Sequence, residues 1–237
     1  MTKMYKALER FEEMFRQGPY LHRRSNLGNE VAALVPEDLL DLAASPKLVN
    51  AVRERTLVVG RHGSVKGKPG RRGDVMFGRI VPGTAATQVS QRAIARGLVA
   101  VGHLGVEVKI LAQRQAMLKQ IDRVINDLAN QARTFRKHPQ CMTVAIVGVN
   151  YSERYVGYEG KRTFPRQVSP DVANRESDQA CQRISIENRK DYDELLILRF
   201  SASNEPPFDF EWLNKEDTQH SYASALARLS SLYEQRF

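Results

Sequence analysis

The chain has 237 residues, 42% apolar and 27% charged, which is enough for a sizeable core and ordinary for a globular protein. No run approaches 18 apolar residues, which argues against a membrane-spanning helix; the charged start Met1-Thr2-Lys3-Met4-Tyr5-Lys6 lacks the apolar stretch of a secretory leader; and two cysteines, Cys141 and Cys181, are too few for a zinc cluster or a disulfide framework and read as buried thiols in a reducing cytoplasm. The net charge of +9 is uneven: residues 1–140 carry 24 Lys/Arg against 12 Asp/Glu, residues 141–237 carry 12 against 15, so a field that attracts polyanions belongs to the first part.

In chain order, Met4, Leu8, Phe11 and Phe15 recur at helical spacing over residues 2–17, and Gly18-Pro19 ends that helix. Residues 27–35 form a second candidate helix. Pro36 is placed to open a third, with Leu39, Leu40 and Leu42, and Ser45-Pro46 starts a fourth with Ser45 as its cap. The pattern then changes. Thr56-Leu57-Val58-Val59 is a short β-run, followed by the glycine-rich, basic stretch 60–73. Glycine at that density makes a loop, and the Lys/Arg of this one suit contact with a nucleic-acid backbone. It fails the P-loop pattern, because Pro69 follows Lys68. Arg72 to Gly78 reads as a strand entered through glycine, with Asp74 at its start, and residues 84–99 fit helix or loop.

The run Leu104-Gly105-Val106-Glu107-Val108-Lys109-Ile110-Leu111 is the most informative stretch. Side chains alternate along a strand, so Val106, Val108 and Ile110 face one way while Glu107 and Lys109 face the other. A carboxylate and an ammonium on a strand of good β-formers need partners or a metal if buried. A helix from about Gln113 to Lys137 follows, with Met117, Ile121, Val124, Leu128, Ala132 and Phe135 on one face. Met142 to Val149 is near-continuously apolar, the pattern of a strand buried on both faces. Beyond Asn150 the sequence reads as a loop mixing Tyr151, Tyr155 and Tyr158 with Arg154, Lys161 and Arg162, a composition that suits stacking on bases as well as an ordinary surface loop. A helix from about Pro170, a strand from Glu194 to Phe200 and an amphipathic helix from Asp217 to Gln235 complete the pattern, with 205–212 read as a structured loop.

A strand begun by Asp74, followed by a strand carrying Glu107-Val108-Lys109, a long helix and a further buried strand, resembles the PD-(D/E)XK nuclease superfamily over roughly residues 28–150. A second Glu-x-Lys, Glu159-Gly160-Lys161, lies outside apolar alternation and reads as a loop. Gly73 stands where the family often has proline, and the long interval from Asp74 to Glu107 requires an insertion. The resemblance implies an α/β fold, a central mixed sheet flanked by helices with a restriction-endonuclease-like core, in one nuclease-like domain that residues 151–237 elaborate. It implies catalysis by Asp74, Glu107 and Lys109. Mg²⁺, or Mn²⁺, would be held by Asp74, Glu107, the carbonyl of Val108 and Glu30 from the preceding helix. Auxiliary polar groups would come from Gln113, Arg114 and Gln120. The basic and aromatic residues assign a DNA surface to Arg61, Lys66, Lys68, Arg71, Arg72, Arg114, Tyr151 and Arg154. The expected activity is hydrolysis of DNA phosphodiester bonds by a cytoplasmic restriction or defence enzyme working as a homodimer. A non-catalytic nucleic-acid-binding module of the same fold and an RNA-directed nuclease stay open, because the sequence does not assign groups that would read a 2′-OH.

Overall fold

A computed structural model describes residues 4–21, 26–60, 75–112, 117–159 and 161–237. Four helices come first: α1 (Lys6–Arg16), α2 (Asn26–Ala32), α3 (Val35–Leu42) and α4 (Pro46–Arg53). Then follow β1 (Leu57–Gly60), β2 (Val75–Ile80), β3 (Val99–Leu111), α5 (Met117–Phe135) and β4 (Met142–Asn150). The remainder is β5 (Arg154–Glu159), β6 (Arg162–Gln167), α6 (Pro170–Asn188), β7 (Glu194–Ala202), β8 (Phe210–Trp212) and α7 (Lys215–Arg236). Among the described residues no helix is long and apolar enough to cross a membrane.

The α/β reading holds: a six-stranded mixed sheet runs in the order β1-β2-β3-β4-β7-β8. β1, β2 and β3 pair antiparallel, β3, β4 and β7 pair parallel, and β8 returns antiparallel. A parallel pair requires a crossover, which α5 supplies between β3 and β4 and α6 supplies between β4 and β7. Strand alternation divides the core. Leu104, Val106, Val144, Ile146, Leu198 and Phe200 face α1, α3 and α7. Val58, Met76, Ala145, Val147 and Val149 face α5 and α6. The fully buried β4 matches its continuous apolar run.

Helix positions follow from local chemistry reinforced by distant groups. Ser45 caps α4 by accepting from the Leu48 amide, as its sequence position suggests. α1 has no cap of its own; buried Asp38 on α3 accepts from the Lys6 and Ala7 amides and from the Tyr222 hydroxyl. One carboxylate thus ties α1, α3 and α7 together. Its burial raises its pKa above the usual carboxylate range despite those three hydrogen bonds. Neighbouring Glu37, also buried, accepts from the Ala93 and Ile94 amides. Those bonds hold part of the connection between β2 and β3, which is a loop bridged between Thr87 and Arg96, the second of the two conformations, helix or loop, that 84–99 allows. Residues 154–167 likewise form a β-hairpin rather than a loop, with Tyr155 fully buried. The structured stretch before α7 contains the short strand β8, paired through Phe200 with Trp212.

Asp193, before β7, receives hydrogen bonds from Arg236 at the end of α7 and from the Thr143 amide on β4. Burial alone would raise this carboxyl; the Arg236 and Thr143 hydrogen bonds outweigh it and hold its pKa below the ordinary 3.8. A depressed folded-state pKa stabilises the fold above the unfolded value and loses that stabilisation as pH falls through the folded one. Arg236→Ala should therefore lower unfolding stability by about 1 kcal/mol at pH 7. The gap to wild type should close below about pH 3 in paired urea titrations. A gap independent of pH would show that Arg236 acts through packing alone.

A Cβ at Gly105 would overlap the Phe135 ring. Gly105→Ala should cost about 1–3 kcal/mol by overpacking. Phe135→Leu should cost less in the Gly105→Ala background than in wild type, measured as a double-mutant cycle by thermal unfolding.

Candidate active site on strand β3

Glu107 and Lys109 project from β3 on the side that α5 covers, as their alternation with Val106 and Val108 requires. Glu107 is buried, with 7% of its surface exposed. The Lys109 Nζ lies 2.8 Å from Glu107 Oε1 and 3.9 Å from Asp127 Oδ2 on α5. Arg123, one turn earlier on α5, lies 3.9 Å from the same Asp127 carboxylate. Charge therefore alternates outward from a buried carboxylate to a mostly exposed guanidinium: Glu107, Lys109, Asp127, Arg123. Such a chain is how a charge can be held in a covered position, because removing any ion from water costs several kcal/mol unless its neighbours compensate.

Helix and strand are in step at this point. Phe135 covers Gly105 and Asp127 meets Lys109, so α5 runs antiparallel to β3. Two strand residues advance about 6.6 Å and four helical residues about 6 Å. Gln131, midway between Asp127 and Phe135, thus lies level with Glu107. Its Nε2 is buried without a hydrogen-bond partner among the described residues, and so is the Nε2 of Gln120 on the same helix. A buried amide donor without a partner leaves an N–H available to an incoming oxygen.

The residues expected at the site fare differently. Glu107, Val108 and Lys109 stand together on β3. Asp74 lies outside the described residues, as do Arg61, Lys66, Lys68, Arg71, Arg72, Gln113 and Arg114. Their nearest described landmark is Val75, the residue after Asp74, which pairs with Val106, the residue before Glu107. Glu30 is not brought to Glu107. Its helix α2 packs on the other face of β3, where Gly28 approaches the Val108 carbonyl and side chain, and its carboxylate accepts from Arg10 Nε at 2.7 Å. Tyr151 is buried, with its hydroxyl 2.7 Å from Asp178 Oδ1 and against the Cys181 thiol, so it is committed to the packing of α6 rather than offered for stacking. Both Cys141 and Cys181 are free and buried, and burial raises both thiols above their usual range. Arg154 is exposed on β5 and paired with Glu205. Glu159, of the second Glu-x-Lys, ends β5 across from Arg162, far along the chain from this network.

Asp127 and Gln131 were not singled out by the sequence. Both sit at helical spacing from Phe135, on an edge of the apolar stripe, and only the docking of α5 brings them to β3. Among the described residues no group of three or more His, Cys, Asp or Glu side chains is gathered as a metal site. The chain matches no protein-family model, no curated protein and no solved structure.

The charge network has a direct test. Lys109→Met leaves the Glu107 carboxylate covered without its ammonium. It should cost about 1–3 kcal/mol, a discounted value for a pair open on one side. The double variant Glu107→Gln, Lys109→Met should recover part of that loss in denaturant unfolding. A double-variant loss equal to the sum of the Lys109→Met and Glu107→Gln losses would show that the pair contributes no coupling.

Proposed function

We propose that this chain is a metal-dependent endonuclease with a restriction-endonuclease-like core that hydrolyses DNA phosphodiester bonds. The observation that carries the reading is the buried Glu107 carboxylate 2.8 Å from the Lys109 ammonium, on the strand joining the antiparallel and parallel parts of the sheet. The strand-crossover-strand order β3, α5, β4 supports the same core. The excess of Lys/Arg in residues 1–140 supports a polyanionic substrate.

Phosphodiester hydrolysis requires an activated water and compensation of charge that builds on the phosphate oxygens. Hard oxygen donors suit Mg²⁺, which keeps several waters and takes one or two carboxylates. Glu107 and the Val108 carbonyl provide such donors, and Asp74 in the segment entering β2 would complete them. When bound, the ion supplies charge neutralisation and lowers the pKa of water. The chain's own residues do the rest. Lys109, held between Glu107 and Asp127, presents an ammonium that stabilises charge developing on the phosphate. Asp127 acts as a positioning residue for that ammonium. Gln131 contributes an amide donor for an oxygen arriving beside Glu107. Glu30, engaged by Arg10 on the other face, takes no part.

The test is incubation of supercoiled plasmid and single-stranded RNA with the purified protein in Mg²⁺, in EDTA, and as Lys109→Ala in Mg²⁺. Expected is Mg²⁺-dependent nicking of plasmid, abolished by EDTA and reduced at least about a hundredfold in Lys109→Ala. Circular dichroism and DNA binding should be retained. Cutting that survives Lys109→Ala would place the active site elsewhere. Cutting confined to RNA would make the substrate RNA, and tight binding with no cutting would make the protein a binding module.

A further inference from the structure

A second site lies on the opposite side of the sheet, where α4, β1, β2 and α7 enclose a cleft of about 540 Å³. That volume is within the range of small-molecule pockets. Its floor is aromatic. The His103 ring stacks on Phe237 at 3.9 Å with an angle of 9° between planes, and its Nδ1 lies 3.0 Å from the Tyr233 hydroxyl. Burial, with Arg79 nearby, pushes His103 down to about 4, and burial pushes Tyr233 up to about 12. Both are neutral at physiological pH, so the floor carries no charge.

The rim is cationic. Lys47, Arg55, Arg79 and Glu54 line the cleft, a surplus of two positive side-chain charges. Lys47 Nζ is used by the Glu234 backbone carbonyl. The Arg55 and Arg79 side chains have no hydrogen bond or ion pair among the described residues. Two forks of guanidinium donors are therefore uncommitted above an apolar, aromatic floor.

Two backbone irregularities put these groups there. The β2–β3 register shifts between Phe77 and Gly78 and again between Arg79 and Ile80, on either side of Arg79. The first shift leaves His103 unpaired and turns it to the same face as Leu104, towards Tyr233. A Cβ at Gly78 would overlap the Val101 carbonyl, so the pinch depends on glycine. Bulges of this kind re-aim side chains and are over-represented beside functional sites. At the end of α4, the Arg55 amide bonds to the Val52 carbonyl and the Thr56 amide to the Ala51 carbonyl. This is a helix-ending motif whose left-handed position normally holds glycine. Here it holds Arg55, at φ +57°. An arginine in that conformation carries backbone strain that glycine would not.

We propose that this cleft binds a small organic phosphate, with the dianionic phosphate between Arg55 and Arg79 and an apolar or aromatic body against Phe237 and the His103–Tyr233 floor. The cationic lining favours a dianion, and a guanidinium matches phosphate oxygens bidentately. The same chemistry is offered by a free mononucleotide and by the 5′-phosphate end of a nucleic-acid strand. The inference does not depend on the nuclease reading.

Calorimetric titration of the full chain with adenosine 5′-monophosphate, adenosine and inorganic phosphate tests it. A 5′-phosphorylated oligonucleotide and its 5′-hydroxyl counterpart form the second arm. The monophosphate should bind at least about tenfold more tightly than adenosine or phosphate. Arg79→Gln and Arg55→Gly should each weaken it at least about tenfold. Arg55→Gly relieves the left-handed strain and should keep or raise the Tm, which separates lost binding from lost fold. A preference for the phosphorylated oligonucleotide over both its hydroxyl form and the mononucleotide would identify the strand end as the source. The proposal is overturned if neither phosphate-bearing ligand is preferred over its phosphate-free counterpart, or if binding is unchanged in both arginine variants.

Discussion

Strand β3 has an antiparallel neighbour on one side and a parallel neighbour on the other, and this constraint organises the molecule. The antiparallel side is closed by a local return of the chain, β2 to β3. The parallel side requires a crossover, and α5 must lie across the face of the sheet to make it. That face is where alternation sends Glu107 and Lys109. The helix that completes the fold thus covers two charges, and their mutual pairing, with Asp127 and Arg123 beyond, is what makes the covering tolerable.

The two faces of β3 consequently have different chemistry. On the α5 side, a buried acid, an ammonium and an unbonded amide nitrogen are concentrated between helix and strand. On the α7 side, two register shifts redirect His103 into an aromatic stack and leave Arg79 at a cationic rim. Regular β-structure would have given neither: strict alternation would have sent His103 and Leu104 to opposite faces. A strand of 13 residues is long enough to carry both groupings at different points along its length.

Buried and half-buried acids do much of the joining elsewhere. Asp38 supplies the cap that α1 lacks, Glu37 orders the β2–β3 connection, and Asp193 fastens the end of α7 to β4. Each accepts from backbone amides that would otherwise be unsatisfied. Exchanging the solvent of a carboxylate for two or three hydrogen bonds makes these contacts specific as well as stabilising. They also connect residues far apart in sequence, which explains why no local pattern announces them.

What the sequence determined by itself is whatever periodicity encodes. The apolar stripes of α1, α5 and α7, the buried run of β4, the Ser45 cap, and the side of β3 on which Glu107 and Lys109 project all follow from spacing and side-chain chemistry. Tertiary structure decided the rest. The segment before β3 is a loop rather than a helix because Glu37 captures the Ala93 and Ile94 amides and Thr87 pairs with Arg96. Residues 154–167 pair as a hairpin although their burial does not alternate cleanly, so no two-residue period marked them. Tyr151 is core because α6 packs on it, and Glu30 is separated from Glu107 because α2 docks on the opposite face. Asp127 and Gln131 enter the site for the converse reason. Their positions on α5 are ordinary along the chain, and acquire chemical meaning only when a helix rising 1.5 Å per residue is laid antiparallel to a strand rising about 3.3 Å.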